Sequence, residues 1–192
     1  MNNNDLIKKL KYSNILKSKK IEEALKKTPR ELFVLDEYKD EAYCDYPLPI
    51  GEGQTISQPT TVVLMTEALD VEKNHKILEI GTGSGWQAAI LSKLAKKIIT
   101  IERNDKLAEF AKKNLRKLNI KNVKVIIGDG TLGYEKESPY DRIIITAATP
   151  KIPEILFKQL KEDGKIVAPV GSKSSQRIAI ITKSQVKKVL NI

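Results

Sequence analysis

The sequence predicts an α/β fold, a doubly wound sheet with helices on both faces and a helical and loop extension at its N-terminus. Two observations carry the prediction. From Lys76 onward, short runs rich in Ile and Val alternate with longer segments whose apolar residues recur at helical spacing, the pattern of covered parallel strands joined by helices. A glycine-rich run, Glu79-Ile80-Gly81-Thr82-Gly83-Ser84-Gly85, stands where the first such strand gives way to the first such helix, the place where doubly wound folds bind ligands. At 192 residues the chain suits one domain, 1–192, with N-terminal helices and a loop over 1–70 and an α/β core over 71–192.

The first seventy residues hold a basic helical stretch, a break at Thr28-Pro29, and a segment from Asp40 to Gln58 without a regular period. Pro47, Pro49, Gly51, Gly53 and Pro59 make that segment a shaped loop, and long ordered loops in small domains tend to be functional. Strands are expected at Lys76 to Ile80, Ile98 to Ile101, Val123 to Ile127, Arg142 to Thr146 and Lys165 to Ala168. Three apolar stripes predict the helices between them: Trp86, Ala89, Ile90 and Leu94; Leu107, Phe110, Ala111, Leu115 and Leu118; and Ile152, Ile155, Leu156 and Leu160. Asp163-Gly164 reads as the turn after the third helix. Gln176 to Thr182 and Val186 to Leu190 read as a hairpin around Lys183-Ser184-Gln185.

Apolar residues at 41% and charged residues at 30% describe a globular chain, and no apolar run is long enough to span a membrane. The start, Met1 to Asp5, lacks a secretory pattern, so a cytoplasmic location is expected. The single cysteine, Cys44, can form neither an internal disulfide nor a thiolate zinc site, and no metal is expected. The formal charge of +10 would suit an anionic partner, but pairs such as Lys8-Lys9, Lys26-Lys27 and Lys112-Lys113 fall on polar faces of the expected helices and read as solvated surface.

In the glycine run, Gly81 and Gly83 can take positive φ and bring the backbone against a ligand, while Gly85 lets the helix pack close to the strand. The third glycine of a dinucleotide fingerprint would fall at position 86, which is Trp86. The pattern is acid-x-Gly-x-Gly-x-Gly, which resembles the cofactor motif of class I methyltransferases with their Rossmann-like sheet and S-adenosyl-L-methionine cofactor. Glu79 would then lie near the amino acid portion of the cationic cofactor. Glu102 ends the next strand, where an acid accepts hydrogen bonds from ribose hydroxyls; its other reading is a surface charge. Asp129, in Gly128-Asp129-Gly130, could receive an adenine amino group while Gly130 keeps the backbone close, or could serve an Asp-Gly turn.

The run from Leu48 to Pro59, which contains Gly53-Gln54-Thr55-Ile56-Ser57-Gln58-Pro59, resembles the protein-L-isoaspartate O-methyltransferases. So do Pro29-Arg30-Glu31-Leu32-Phe33-Val34, Thr100-Ile101-Glu102-Arg103, Pro139-Tyr140-Asp141, Thr146-Ala147-Ala148 with Pro150, and Pro169-Val170-Gly171. The family often has His where this chain has Glu31, Pro for Leu35 and Tyr for Trp86, and its chains commonly continue past the position of Ile192, which bears on peptide affinity. The resemblance implies methyl transfer to the α-carboxylate of L-isoaspartyl residues in damaged proteins. The ester closes to a succinimide, whose hydrolysis returns some normal aspartate. It also makes Ser57 the active-site residue; a monomer is expected, though no residue pattern here sets the oligomeric state.

A carboxylate nucleophile, with a pKa of about 4, is ionised at neutral pH and needs no general base. The reaction needs an oxygen held in place, which the Ser57 hydroxyl can do as a donor. Ser57 also precedes Gln58-Pro59 and an apolar-striped stretch, so it reads equally as a helix cap. Thr55 is a second candidate for the acceptor surface, and Ala147 with Ala148 would leave room beside the methyl group. His75, before the first strand, reads as a solvent-side residue. The competing functions are a nucleic-acid or small-molecule methyltransferase with the same cofactor and a binding module without turnover. Against the first, Thr146 to Pro150 lacks the Asn/Asp-Pro-Pro-aromatic run of amino-group methylating enzymes.

Overall fold

Seven strands form the sheet that the Ile and Val runs predict. The computed structural model describes residues 1–147, 149, 151–172, 175–183 and 186–191. Ala148 and the expected turn at Ser184-Gln185 lie outside the described residues. The N-terminal region folds as α1 (Asn3–Tyr12), α2 (Lys19–Lys26), two 3-10 turns (Arg30–Phe33 and Asp36–Glu41), a hairpin of β1 (Leu48–Gly51) and β2 (Gln54–Ile56), and α3 (Pro59–Leu69). The core follows as β3 (Lys76–Ile80), α4 (Trp86–Leu94), β4 (Lys97–Glu102), α5 (Asp105–Lys117), β5 (Val123–Ile127), β6 (Tyr140–Ile145), α6 (Glu154–Lys158), β7 (Leu160–Ser172), β8 (Ser175–Ile181) and β9 (Val186–Asn191). No helix among the described residues is long and apolar enough to cross a membrane.

The strand order is β5-β4-β3-β6-β7-β8-β9; the five from β5 to β7 run parallel, and β8 and β9 are antiparallel. From β3 the chain builds outward through β4 and β5, then returns to the other side of β3 as β6. That reversal opens a crevice at the carboxyl ends of β3 and β6. Alternate strand residues serve opposite faces. Ile77, Ile98 and Ile144 pack in a core with α3, α4 and α5 that extends to Leu6 and Leu25 of the N-terminal helices. Leu78, Ile99 and Ile143 face a smaller core with Leu156 of α6. The second face is thinly covered because β5 connects to β6 through two short 3-10 turns, Gly130–Leu132 and Glu135–Glu137.

Three expectations change. The segment from Asp40 to Gln58 contains the β1–β2 ladder, closed by Glu52 (φ 52) and Gly53 (φ 66), the two left-handed residues of a type I′ turn. The third helix is shorter than its stripe: Pro153 fixes its start, and Leu160 belongs to β7, opposite Tyr140. Asp163-Gly164 therefore lies inside β7, where the register with β6 shifts between Tyr140 and Arg142.

Candidate active site

The crevice holds a cavity of about 660 Å³, in the range of small-ligand sites. One wall is the glycine loop after β3. Gly81 has φ +94, its amide donates to the Ile101 carbonyl at 2.9 Å, and a Cβ there would lie 2.5 Å from the Thr146 Oγ1, so no larger residue fits. Gly85 opens α4 with φ +87. A Cβ on Gly85 would meet Ala111 of α5 at 3.2 Å, so its smallness serves helix against helix rather than helix against strand.

Glu102 ends β4 with its carboxylate on the cavity. Its Oε2 accepts from the Gly83 amide at 2.9 Å and its Oε1 from the Asn104 amide at 3.1 Å, which ties the glycine loop to the start of α5. Asn104 then caps α5 by accepting from the Leu107 amide at 3.1 Å.

Glu79 does not reach the cavity surface. Its side chain is fully buried, and among the described residues neither carboxylate oxygen has a hydrogen-bond partner. Burial raises its pKa to about 8, opposed by the nearby Thr100 hydroxyl, whose hydrogen bond is with the Thr82 hydroxyl, and reinforced by Glu102. The expected carboxylate facing a cation is thus a protonated acid at neutral pH while no cation is near. Asp129 and Gly130 also stand off the cavity wall. Both hydrogen bonds to Asp129 fall on Oδ1, from the Thr131 amide (2.9 Å) and hydroxyl (2.8 Å), the arrangement of the turn reading. Gly130 packs so tightly on Ile80 that a Cβ would lie 2.4 Å from its Cγ2.

The opposite wall comes from the N-terminal region. Thr55, Ile56 and Ser57 line the cavity from β2 onward, and Ala147 lines it after β6. Ile50 of the hairpin reaches toward Gly83. At the turn, Glu52 accepts from the Lys106 ammonium (3.0 Å) and the Asn104 amide group (3.2 Å), so the hairpin is tied across the glycine loop to α5. Ser57 is half-buried, and among the described residues its hydroxyl makes no hydrogen bond. It does not cap α3: the N-cap position is Gln58, and the Asp45 carboxylate accepts from the Thr60 amide and hydroxyl.

Beneath Ser57 lies Arg30, fully buried. Its Nη1 donates to the carbonyls of Ala42 (2.8 Å) and Cys44 (3.3 Å), and its Nη2 to those of Tyr46 (3.1 Å) and Ser57 (3.0 Å). The guanidinium also stacks over Trp86, 5.4 Å from the ring centroid. Burial lowers its pKa to about 10, with Asp45, Cys44 and Tyr46 pulling it back up. Sequence reasoning did not single out Arg30, since an arginine after Thr28-Pro29 carries no local sign of burial. Asn104 did carry a local sign, of a helix cap rather than of burial: an Asn-Asp pair before an apolar stripe. His75 is buried, not solvent-side, and its Nδ1 accepts from the Glu72 amide at 3.0 Å to hold the turn before β3.

These walls suit a nucleoside-bearing cation. Gly81 leaves open a cradle that a side chain would fill, Glu102 presents two acceptor oxygens at a strand end, and Glu79 is an orphaned acid behind the loop. Residues 1–191 match the family model described as protein-L-isoaspartate(D-aspartate) O-methyltransferase. A protein-L-isoaspartate O-methyltransferase of Methanopyrus kandleri is 47% identical over 184 residues, which cover 94% of this chain and 81% of the relative. One of Dictyoglomus turgidum is 53% identical over 178 residues, covering 93% and 80%. A solved structure of the same name, 33% identical, superposes with a TM-score of 0.85 over 94% of this chain, which spans 60% of that chain. A Plasmodium falciparum structure in complex with S-adenosyl-L-homocysteine is 24% identical and shares the fold, with a TM-score of 0.84 over 100% of this chain and 94% of the other.

Proposed function

Because the chain belongs to the protein-L-isoaspartate(D-aspartate) O-methyltransferase family, we propose that this cavity is where it methylates isoaspartyl carboxylates, with the glycine loop as the cofactor wall and Thr55 to Ser57 as the acceptor wall. The observation that carries the assignment is the meeting of those two walls on one cavity. Residues 1–70 contribute the acceptor side and residues 71–192 the cofactor side, as one working unit.

S-adenosyl-L-methionine, when bound, supplies a methyl group on a positively charged sulfur. Glu102 holds the ribose hydroxyls while its bonds to the Gly83 and Asn104 amides keep it in place. Glu79, behind the loop, would balance the positive charge of the amino acid end by releasing its proton to solvent. Gly81 and Gly83 let the backbone touch the ligand, and Gly85 sets α4 against α5. Asp129 and Gly130 stand just beyond the cavity wall; Asp129, with Oδ1 held by Thr131, would offer its Oδ2 to an adenine amino group reaching past that wall, beside the Gly130 backbone.

The acceptor carboxylate arrives ionised, so no side chain removes a proton from it. The Ser57 hydroxyl, which has no hydrogen-bond partner among the described residues, donates to one carboxylate oxygen and fixes the direction of the other. Thr55 borders the same surface, and Ala147 leaves space where the methyl group passes. We further infer that the acceptor is an isoaspartyl peptide and not a nucleic acid, and that the enzyme acts as a cytoplasmic monomer.

The test is transfer from methyl-labelled cofactor to a peptide containing isoaspartate, beside the same peptide with aspartate and a sample of RNA and DNA. Base-labile label on the isoaspartyl peptide alone is expected. Equal label on both peptides, or label only on nucleic acid, would falsify the acceptor assignment. Light scattering at one-chain mass tests the monomer.

A further inference from the structure

Arg30 is the least expected side chain near the cavity. A fully buried guanidinium ordinarily faces a carboxylate, because an unpaired buried charge is costly. Among the described residues Arg30 has no such ion pair; its four bonds go to carbonyls spread from Ala42 to Ser57, and its flat face lies on Trp86. Only a planar fork can serve four carbonyls in this way, which a lysine ammonium cannot.

Its neighbours belong to both walls. Ser57 is the proposed donor to the acceptor. Trp86 is the first residue of α4, directly after the glycine loop; it lines the cavity, and its Nε1 donates to the Thr28 carbonyl at 2.9 Å. The Arg30 guanidinium thus touches both the acceptor segment and the helix carrying the cofactor loop.

We propose that Arg30 is a positioning residue for the acceptor: by holding the Ser57 carbonyl while stacked on Trp86, it sets the Ser57 hydroxyl at the height fixed by the glycine loop. This rests on the reading of Ser57 as the acceptor-binding residue. A positioning role through Ser57 makes Arg30 matter for acceptor use and little for cofactor binding, and makes its effect depend on Ser57 being present.

The test compares wild type, Arg30→Lys, Ser57→Ala and the double variant, measuring kcat and KM for an isoaspartyl peptide and the calorimetric affinity for S-adenosyl-L-homocysteine. Arg30→Lys is expected to lower kcat/KM about tenfold through lost charged hydrogen bonds, with cofactor-product affinity within about twofold. In the Ser57→Ala background the same change is expected to cost about twofold or less. Equal factors in both backgrounds, or an equal loss of cofactor-product affinity, overturn the proposal while leaving Ser57 its role. A silent Ser57→Ala overturns the Ser57 reading and this inference with it. A second measurement needs no variant: with ¹⁵N-labelled arginine, the Arg30 side-chain resonances are expected to shift when isoaspartyl peptide is added to the S-adenosyl-L-homocysteine complex. Resonances that stay still overturn the coupling.

Discussion

Asp45 caps α3 in place of Ser57: its carboxylate accepts from the Thr60 amide at 2.9 Å and the Thr60 hydroxyl at 2.7 Å. The serine that sequence reads as either a cap or an acceptor contact is thereby released from the first duty. The helix start is stabilised from the preceding loop, and the Ser57 hydroxyl is left without a hydrogen bond among the described residues.

The cap makes a stability prediction. Burial alone would raise the Asp45 pKa, but the Thr60 hydroxyl and amide with the Gln58 side chain outweigh it and hold it below the ordinary value. A depressed folded pKa means stabilisation present above the unfolded pKa of about 3.9 and lost as pH falls through the lower folded value. Asp45→Ala is expected to cost about 1 to 2 kcal/mol at pH 7 by urea denaturation, with the difference from wild type shrinking below about pH 4. A difference that stays constant with pH would remove the charge from the explanation.

Glu79 has the opposite sign. Its folded pKa of about 8 lies above the unfolded value, so the folded state holds more protons between the two values and stability falls as pH rises across that interval. Glu79→Gln is expected to stabilise the cofactor-free protein at pH 8 by about 1 to 3 kcal/mol and to flatten the pH dependence. In wild type, cofactor binding that ionises Glu79 releases a proton, so affinity should rise with pH up to about 8. Calorimetry in two buffers of different ionisation enthalpy measures the proton, and none released would place Glu79 outside the binding event.

Glu102→Ala removes the proposed ribose acceptor and unties Gly83 and Asn104. Cofactor binding is expected to weaken by about 1.5 to 3 kcal/mol, since a charged acceptor is lost. Unchanged affinity by calorimetry would defeat that role.

Much of this was legible in sequence wherever residue type alone decides the structure. β3 was found to the residue, Lys76 to Ile80, because a short run carrying Ile77, Leu78 and Ile80 directly ahead of a glycine turn reads as a covered parallel strand. The glycine loop and Glu102 were legible because a tight turn and a strand-end acid each demand one residue type. The β1–β2 hairpin was not, since its ladder is only a few residues long and its prolines mask any alternation. Arg30 and Glu79 depart for a shared reason: their burial is set by segments far away in the chain. Gln159 shows the same limit, its side chain accepting from the Tyr134 amide and donating to the Leu132 carbonyl just where a helical stripe seemed to continue.

The Glu52 tie across the glycine loop predicts a kinetic effect. The Lys106 partner is exposed, so the bond is weak and open to screening. Glu52→Gln is expected to speed cofactor release about two- to fivefold at low salt and to have little effect at high salt. Stopped-flow release of S-adenosyl-L-homocysteine measures it, and equal rates at low salt would show that the hairpin does not gate the cavity.

The central claim is that Ser57 orients the acceptor beside a cofactor bound by the opposite wall. Its most direct measurement is kcat/KM of Ser57→Ala on an isoaspartyl peptide, paired with the calorimetric affinity for S-adenosyl-L-homocysteine. A fall of about tenfold or more in kcat/KM is expected, with cofactor-product affinity unchanged. A rate equal to wild type would contradict it.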